Sequence, residues 1–144
     1  TMDFTQIGTW LLNILGWSLG GIVAVMLARY AYRLITPFDV TKELVEDRNT
    51  AVGVSKGLFM VASAIILHGI VVGDKLADSL AVEVALVILY YLLGLLLLGL
   101  GRIMLVVTTR YDFNEQIHVK DNLAVGMVEG CMYIAFAIAI HSAL

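Results

Sequence analysis

Four long, continuous apolar stretches constrain this chain more than any other feature of its sequence. They cover approximately residues 7–35, 49–72, 79–108 and 122–143. A helix of about 20 residues crosses the roughly 30 Å hydrocarbon layer of a membrane, so each stretch is long enough to span it. Strands of a membrane barrel would instead alternate polar and apolar residues over about ten positions. The sequence therefore predicts an all-α membrane protein with four transmembrane helices.

The composition favours lipid as the solvent of this chain. Hydrophobic residues make up 60% of its 144 positions and charged residues 15%, whereas an average soluble domain is nearer a half and a quarter. A chain this short cannot hide so much apolar surface in its own core. The basic residues form no cluster typical of nucleic-acid binding, and Cys131 is the single cysteine, which excludes an intrachain disulfide. The expected partner is the lipid bilayer, and binding to nucleic acid is not expected.

The second half of the chain repeats the first at an offset of 73 residues. Each polar match pairs identical residue types, namely Arg29 with Arg102, Asp39 with Asp112, Asn49 with Asn122 and His68 with His141. Matches of this kind in one register are not expected between unrelated membrane helices. We predict two tandem two-helix repeats, residues 1–72 and 73–144, in one bundle with pseudo-twofold symmetry. Since each repeat has two spans, both have the same orientation and the repeat is parallel.

Basic residues predict the orientation of the bundle. The segments that join the first two and the last two spans, with the adjoining helix ends, hold Arg29, Arg33, Lys42, Arg48, Arg102, Arg110 and Lys120, whereas the opposite side holds Lys75. The positive-inside rule places these segments in the cytoplasm and both termini outside. We call residues 36–48 and 109–121 the connectors. Each is predicted to form a short amphipathic helix capped by Thr36 or Thr109, with Asp39 or Asp112 as the capping-box partner.

A motif of the same kind follows each connector, Asn49-Thr50-Ala51-Val52-Gly53 and Asn122-Leu123-Ala124-Val125-Gly126. Together with Ile35-Thr36-Pro37, these motifs resemble the YjfL-like family of small bacterial inner-membrane proteins, domain-of-unknown-function family three-fifty. The resemblance implies four helices, a bacterial inner membrane and no reaction, because the family has no settled activity. It also implies that Lys56 and Glu129 belong to a subtype, since members usually have small or apolar residues there.

The motif residues have a helical spacing. Asn49, Gly53 and Gly57 are four apart, and Asn122, Gly126 and Gly130 repeat this pattern. Residues four apart share a helix face, so each set predicts an N-cap followed by a Gly-x-x-x-Gly surface for close helix packing. A second interpretation is that the two helix N-termini and carboxamides bind an anion or a headgroup.

Lys56 and Glu129 are ionisable residues inside predicted spans. They occupy the same repeat position with opposite sign, and each lies seven residues into its helix, or about 10 Å. A charge at that depth is costly unless it is paired or hydrated. We predict a structural ion pair, within one chain or between subunits. The alternatives are that Lys56 snorkels to the interface without a partner, and that the two residues form a gate or relay for protons or ions.

The remaining polar residues support weaker hypotheses. His68 and His141 are expected to be interfacial histidines, although with Glu83 they are weak candidates for a metal or haem site. Arg29 and Arg102 are expected to snorkel to lipid phosphates, and His118 to be a solvated loop residue. No cofactor is expected.

No nucleophile–base pair, phosphate-binding loop or dinucleotide fingerprint is present in the sequence. We therefore expect no enzymatic activity. The predicted function is that of a structural or accessory membrane subunit that oligomerises or docks on a larger membrane complex. The alternative is an oligomeric small channel or transporter-like protein that uses Lys56 and Glu129 as an intramembrane polar layer.

Overall fold

The computed structural model describes residues 4–74 and 76–144. In these ranges the chain is helical and contains no strand. The order is α1 Phe4–Ile35, α2 Val40–Val45, α3 Thr50–Val72, α4 Leu80–Thr108, a π-helical turn Glu115–Val119, and α5 Leu123–His141. Four of these helices, α1, α3, α4 and α5, are long and apolar enough to cross a membrane. This confirms the predicted all-α architecture with four spans.

Helices α3 and α5 form the most extensive helix pair and lie at the centre of the bundle. Helix α1 packs mainly on α3, whereas α4 packs on both central helices. Helix α2 and the π-helical turn lie together against the start of α3, and we call this end of the bundle the connector end. In the most apolar window of α1 only 6% of the residues are buried, against 39% in α3. Helix α1 is therefore the least enclosed of the four spans.

The two motif asparagines begin the central helices, as predicted. Oδ1 of Asn49 accepts a hydrogen bond from the amide of Val52 over 2.9 Å. Oδ1 of Asn122 accepts one from the amide of Val125 over 3.4 Å. An N-terminal helix turn has free N–H groups, and an asparagine in the preceding position satisfies one of them.

The residue before each asparagine has a left-handed backbone, with φ of 53° at Arg48 and 45° at Asp121. Residues with a side chain rarely adopt this conformation. At Asp121 it directs the carboxylate at the start of α3, where Oδ1 accepts from the amide of Ala51 over 2.8 Å and from the hydroxyl of Thr50 over 2.9 Å. These hydrogen bonds, above all that from Ala51, lower the pKa of Asp121. An acid of the second connector thus caps α3.

The predicted capping of the connectors by threonine is wrong. The hydroxyl of Thr36 bonds back to the carbonyl of Tyr32 over 2.9 Å, because the last turn of a helix has carbonyls without helical partners. The connector helix α2 begins after Asp39, which accepts from the amides of Thr41 and Lys42. The hydrogen bonds from Lys42 and then Thr41 lower the pKa of Asp39.

The second connector also differs from its prediction, since it forms a π-helical turn in place of an α-helix. Asp112 accepts a hydrogen bond from the amide of Glu115 over 2.9 Å. The hydroxyl of Thr109 again bonds back into the preceding helix, to the carbonyl of Leu105 over 2.7 Å. Each threonine therefore bonds to the end of the preceding span. Each aspartate accepts backbone N–H groups at the start of the short helical segment in its own connector.

The two Gly-x-x-x-Gly surfaces have different environments. A Cβ atom at Gly126 would lie 2.5 Å from the carbonyl oxygen of Ala51, and one at Gly130 would lie 2.8 Å from Cβ of Leu58. This pair therefore permits the close approach of α5 to α3, as predicted. At Gly57 a Cβ would meet nothing within 4 Å, and at Gly53 it would touch Leu44 of α2 at 3.6 Å.

The predicted helix–helix contact is therefore present at Gly53, where the partner is α2, and is wrong within one chain at Gly57. Gly57 lies on an exposed side of α3. A glycine pattern marks a face that allows close approach, but the packing decides whether another helix occupies that face.

Candidate functional site

An ion pair between Arg102 of α4 and Glu129 of α5 lies inside the bundle. Nε of Arg102 donates to Oε1 of Glu129 over 2.7 Å. The two side chains are 5% and 0% exposed, so both charges are withdrawn from the surroundings of the protein. A charge inside a membrane protein is costly unless it is paired, and such residues are candidates for a functional site.

Hydroxyl groups complete the surroundings of the Glu129 carboxylate. Ser55 of α3 donates to Oε2, and the hydroxyl of Tyr32 on α1 donates to Oγ of Ser55 over 2.9 Å. The buried hydroxyl of Tyr133 faces the same carboxylate without a hydrogen bond of regular geometry. Arg102 and Ser55 bind the carboxylate directly, and Tyr32 is linked to it through Ser55, so side chains from all four spans take part in this set of hydrogen bonds.

The remaining guanidinium nitrogens of Arg102 bind groups at the connector end. Nη1 donates to the carbonyl of Ile35 over 3.1 Å, and Nη2 donates to Oδ1 of Asn114 over 2.7 Å. Ile35 is the last residue of α1, where carbonyls have no helical partner. Arg102 thus joins the end of α1, the second connector and α5. We call Tyr32, Ser55, Arg102, Asn114 and Glu129 the Arg102–Glu129 network.

Glycines of α4 permit this geometry. A Cβ at Gly101 would overlap the ring of Phe136 on α5, and a Cβ at Gly99 would lie 3.0 Å from Cγ2 of Ile35. The absence of side chains at both positions brings α4 close to its neighbours on two sides. Arg102 can therefore reach Glu129 with its side chain enclosed by the bundle.

The predicted Lys56–Glu129 ion pair is wrong. Glu129 is held by Arg102 and Ser55, and among the described residues Lys56 makes no ion pair. Because successive helix residues differ by about 100° in direction, Ser55 faces α5 and the next residue does not. Glu129 is fully enclosed, so a neighbouring subunit's Lys56 could not reach it in this packing either.

Sequence reasoning also missed Arg102, which was expected to snorkel to phosphates. The sequence contained a usable signal, because Arg102 precedes Glu129 by the same interval as Arg29 precedes Lys56. No comparable match marks the other three residues of the network. The residues 73 positions away from Tyr32, Ser55 and Asn114 are Leu105, Val128 and Thr41.

A second polar cluster joins the two connectors. Glu43 is 2% exposed and accepts from Nδ2 of Asn49 over 2.9 Å. Nδ1 of His118 lies 2.6 Å from Oε1 of the same carboxylate, and the ring of Phe38 stacks on the His118 ring at 5.0 Å. His118 keeps the partial exposure expected of a loop residue, but it is not isolated, since it contacts a buried carboxylate and an aromatic ring. A cavity of about 560 Å³ opens beside it between the connectors.

The N-terminus of α3 is already occupied by groups of the chain itself. Asn49 is 4% exposed, and its Nδ2 also donates to the carbonyls of Ile117 and His118. Asp121 fills the start of α3. The second interpretation of the motif, an anion bound by both carboxamides and N-termini, is therefore wrong for α3, because a carboxylate of the chain itself takes that place.

His68 and His141 meet at the opposite end of the bundle. Nδ1 of His68 lies 3.3 Å from Nε2 of His141, and their rings stack at 5.5 Å. Glu83 does not join them, since the described residues include no group of three or more side chains suited to hold a metal. The expectation of no metal or haem stays a prediction.

The geometry of the Arg102–Glu129 network suits a structural role better than proton chemistry. Each charged atom of the pair is bonded to a fixed partner within the chain, and the carboxylate has no exposed surface. Breaking such a pair strands a buried charge. The network therefore fixes how the four spans and the second connector fit together.

Four membrane-length helices packed around this network define a multi-pass α-helical membrane protein. The chain belongs to the family described as Domain of Unknown Function (DUF350), whose sequence model matches residues 6–144. This confirms the family predicted from the two Asn-x-Ala-x-Gly motifs. No match was found among curated proteins or among solved structures.

Proposed function

We propose that this protein is a non-enzymatic membrane subunit that self-associates through the outer half of α1. The observation that carries this proposal is the exposure of residues 4–20, all of which are exposed except the half-buried Gly8. A Cβ at Gly8, Gly16 or Gly20 would meet nothing within 4 Å. This half of α1 is therefore left largely uncovered by the residues that the structure describes.

One face of this segment has the character of a helix contact. Its residues are polar or small and follow one another at intervals of three and four, namely Gln6, Thr9, Asn13, Gly16 and Gly20. Positions with this spacing share a face. The same face continues to Ala24 and Ala28, which are buried against the bundle. We call Gln6, Thr9, Asn13, Gly16 and Gly20 the α1 stripe.

The length of α1 is a second, independent support. Helix α1 has 32 residues, whereas α3 has 23 and α5 has 19. At 1.5 Å per residue, α1 is about 13 Å longer than α3. The outer turns carry the exposed apolar side chains Phe4, Trp10 and Leu11. A helix longer than the membrane is thick must tilt, kink or locally thicken the bilayer, and the cost of such mismatch favours some helix–helix association.

A second copy of this chain is the occupant that fits the α1 stripe best. The carboxamide of Asn13 contains both a donor and an acceptor, so two copies related by a twofold axis can satisfy one another. Among the described residues, no group bonds to the side chain of Gln6 or of Asn13. Polar side chains and small residues are the features that drive helix association in membranes.

The oligomeric state in detergent tests this proposal. We expect a dimer or larger oligomer by light scattering, and dissociation when Gly16→Leu or Asn13→Leu alters the α1 stripe. Leu11→Ala is the matched control, because Leu11 lies on the opposite face of the same helix. A monomeric wild-type protein at every concentration would refute the proposal. Dissociation by Gly57→Leu, with Gly16→Leu silent, would move the interface to α3.

The proposed location is the bacterial inner membrane, with both termini in the periplasm and the connectors in the cytoplasm. The distribution of basic residues supports this orientation. Arg33, Lys42, Arg48, Arg110 and Lys120 are exposed at the connector end.

Tandem duplication with pseudo-twofold symmetry is part of the same proposal. Contacts that recur 73 residues apart support it. Asn122 donates to the side chain of Gln116 over 3.1 Å, as Asn49 does to Glu43 over 2.9 Å. The left-handed residues Arg48 and Asp121 also have this separation.

The alternative function, an oligomeric channel or transporter-like protein, has less support. It relied on Lys56 and Glu129 as one polar layer. Glu129 is fully buried and paired with Arg102, whereas Lys56 is half-buried and lies outside that network. A pore would have to pass between subunits, because Glu129 is enclosed. Ion flux into vesicles that contain the purified protein tests this alternative, and a flux lost in Lys56→Gln would favour it.

A further inference from the structure

Three basic side chains lie together on one side of the α1–α3 contact at the connector end. The hydroxyl of Tyr32 bonds to Ser55 across this contact. Since α1 and α3 are antiparallel, the next residue of each helix, Arg33 and Lys56, turns to the same side. Arg29 lies one turn from Arg33 on the same face. The charges of Arg29 and Arg33 are close enough to act on Lys56.

The charges of this cluster differ from those at the corresponding positions of the second repeat. Arg29 and Lys56 precede Arg102 and Glu129 by 73 residues each. At the later positions a cation meets an anion over 2.7 Å. At the earlier positions both residues are cations, and Arg33 adds a third positive charge that acts on Lys56. In this half of the protein, the neutralising charge must come from outside the cluster.

The neighbouring acid does not supply it. Arg33 acts electrostatically on Asp39, but that carboxylate is bonded to the two amides that begin α2. Among the described residues neither Arg29, Arg33 nor Lys56 forms an ion pair. One carboxylate, already engaged at the start of a helix, leaves an excess of positive charge on this surface.

We propose that Arg29, Arg33 and Lys56 bind the phosphate group of an anionic phospholipid in the leaflet at the connector end. Arg29 and Arg33 are exposed and Lys56 is half-buried, so a ligand from the membrane can reach all three. Arg29 and Lys56 each lie six residues from a helix end, or about 9 Å. Guanidinium and ammonium groups near this level are suited to lipid phosphates.

The surroundings favour a lipid over a free phosphate ion. The exposed apolar side chains of Met26 and Tyr30 flank the two arginines on α1. Beside Lys56 on α3, a Cβ at Gly57 would meet nothing within 4 Å. The open surface at Gly57, next to apolar side chains, can accommodate the acyl chain of a lipid. A free phosphate ion has no apolar part that would bind there.

Native mass spectrometry of the full chain in an uncharged detergent tests the proposal. Phosphatidylglycerol and phosphatidylcholine are titrated separately, and bound lipid is counted per chain. We expect tighter binding of phosphatidylglycerol. One charge near a membrane surface contributes about a fivefold change in affinity. Lys56→Gln is therefore expected to weaken binding about fivefold, and Lys56→Glu about 25-fold.

Arg110→Gln is the matched control, since Arg110 is exposed at the same end outside the cluster. It should leave phosphatidylglycerol affinity unchanged. Arg29→Gln provides a second test of the cluster should Lys56→Glu fail to fold. Equal affinity for the two lipids, or equal weakening by Arg110→Gln and Lys56→Gln, would overturn the proposal. Lys56-dependent stabilisation by inorganic phosphate alone, without phosphatidylglycerol binding, would show a free-ion site and also overturn it.

Discussion

Replacing Arg102 with methionine tests whether the Arg102–Glu129 network organises the bundle. The change removes the donors to Glu129, Ile35 and Asn114. Glu129 retains the hydrogen bond from Ser55, but its charge is left without a cation in a fully enclosed position. The damage should therefore come mainly from a stranded charge.

The expected loss is about 3–5 kcal/mol in the free energy of unfolding, as for other buried pairs that lose one partner. Glu129→Gln should lose a similar amount, because it strands the arginine. In the double variant no charge is stranded, and the remaining loss is that of unpaired polar partners, about 1–3 kcal/mol. The coupling energy between the two positions should therefore be at least about 3 kcal/mol.

Unfolding in mixed micelles, with increasing sodium dodecyl sulfate and circular dichroism as the signal, measures these free energies. Lys56→Met is the matched control, because Lys56 is a charged residue inside a neighbouring span and lies 73 positions before Glu129. Its effect should add to that of Glu129→Gln within about 0.5 kcal/mol. Simple additivity of Arg102→Met and Glu129→Gln, or strong coupling of Lys56→Met to Glu129→Gln, would refute the reasoning.

Gly130→Leu should destabilise the α3–α5 pair, whereas Gly57→Leu should leave folding intact because its position is open; equal thermal stability of both variants would contradict this. A cysteine at Lys42, in a background without the native cysteine, should react with an impermeant maleimide only after the inner membrane is opened, and labelling from the periplasm would reverse the proposed topology. The purified protein should show no Soret band, since His68 already pairs with another imidazole; a band that disappears in His68→Ala would contradict this. The pKa of Asp39 is lowered by folding, so its contribution to α2 is complete above the unfolded pKa of about 4. That contribution is lost as the pH falls through the lower folded pKa, and amide exchange in α2 should accelerate there in the wild type but not in Asp39→Asn.

The sequence alone determined the features that depend on neighbouring residues and on the solvent. The four spans follow from uninterrupted apolar runs, because a helix in lipid must satisfy its backbone internally. The starts of α3 and α5 follow from Asn49 and Asn122, since a side chain caps only the turn that it precedes. Family membership followed from the same motifs.

Tertiary packing decided which of two equivalent patterns is used. Gly126 and Gly130 contact α3, whereas Gly57 remains open. Both pairs have the same spacing, so spacing could not distinguish them. Which glycine pair lies in the contact depends on the rotation of α3 and α5 about their axes. The packing of all four spans sets that rotation.

Packing likewise selected the partner of Glu129. The sequence shows that a buried carboxylate needs a cation, and it offers both Lys56 and Arg102. Ser55 faces α5 and Lys56 does not, because neighbouring residues on a helix differ by about 100° in direction. Glycines in α4 bring Arg102 within 2.7 Å. Charge and depth limit the candidates, but only the rotation and approach of the helices determine which charge is near enough to bind.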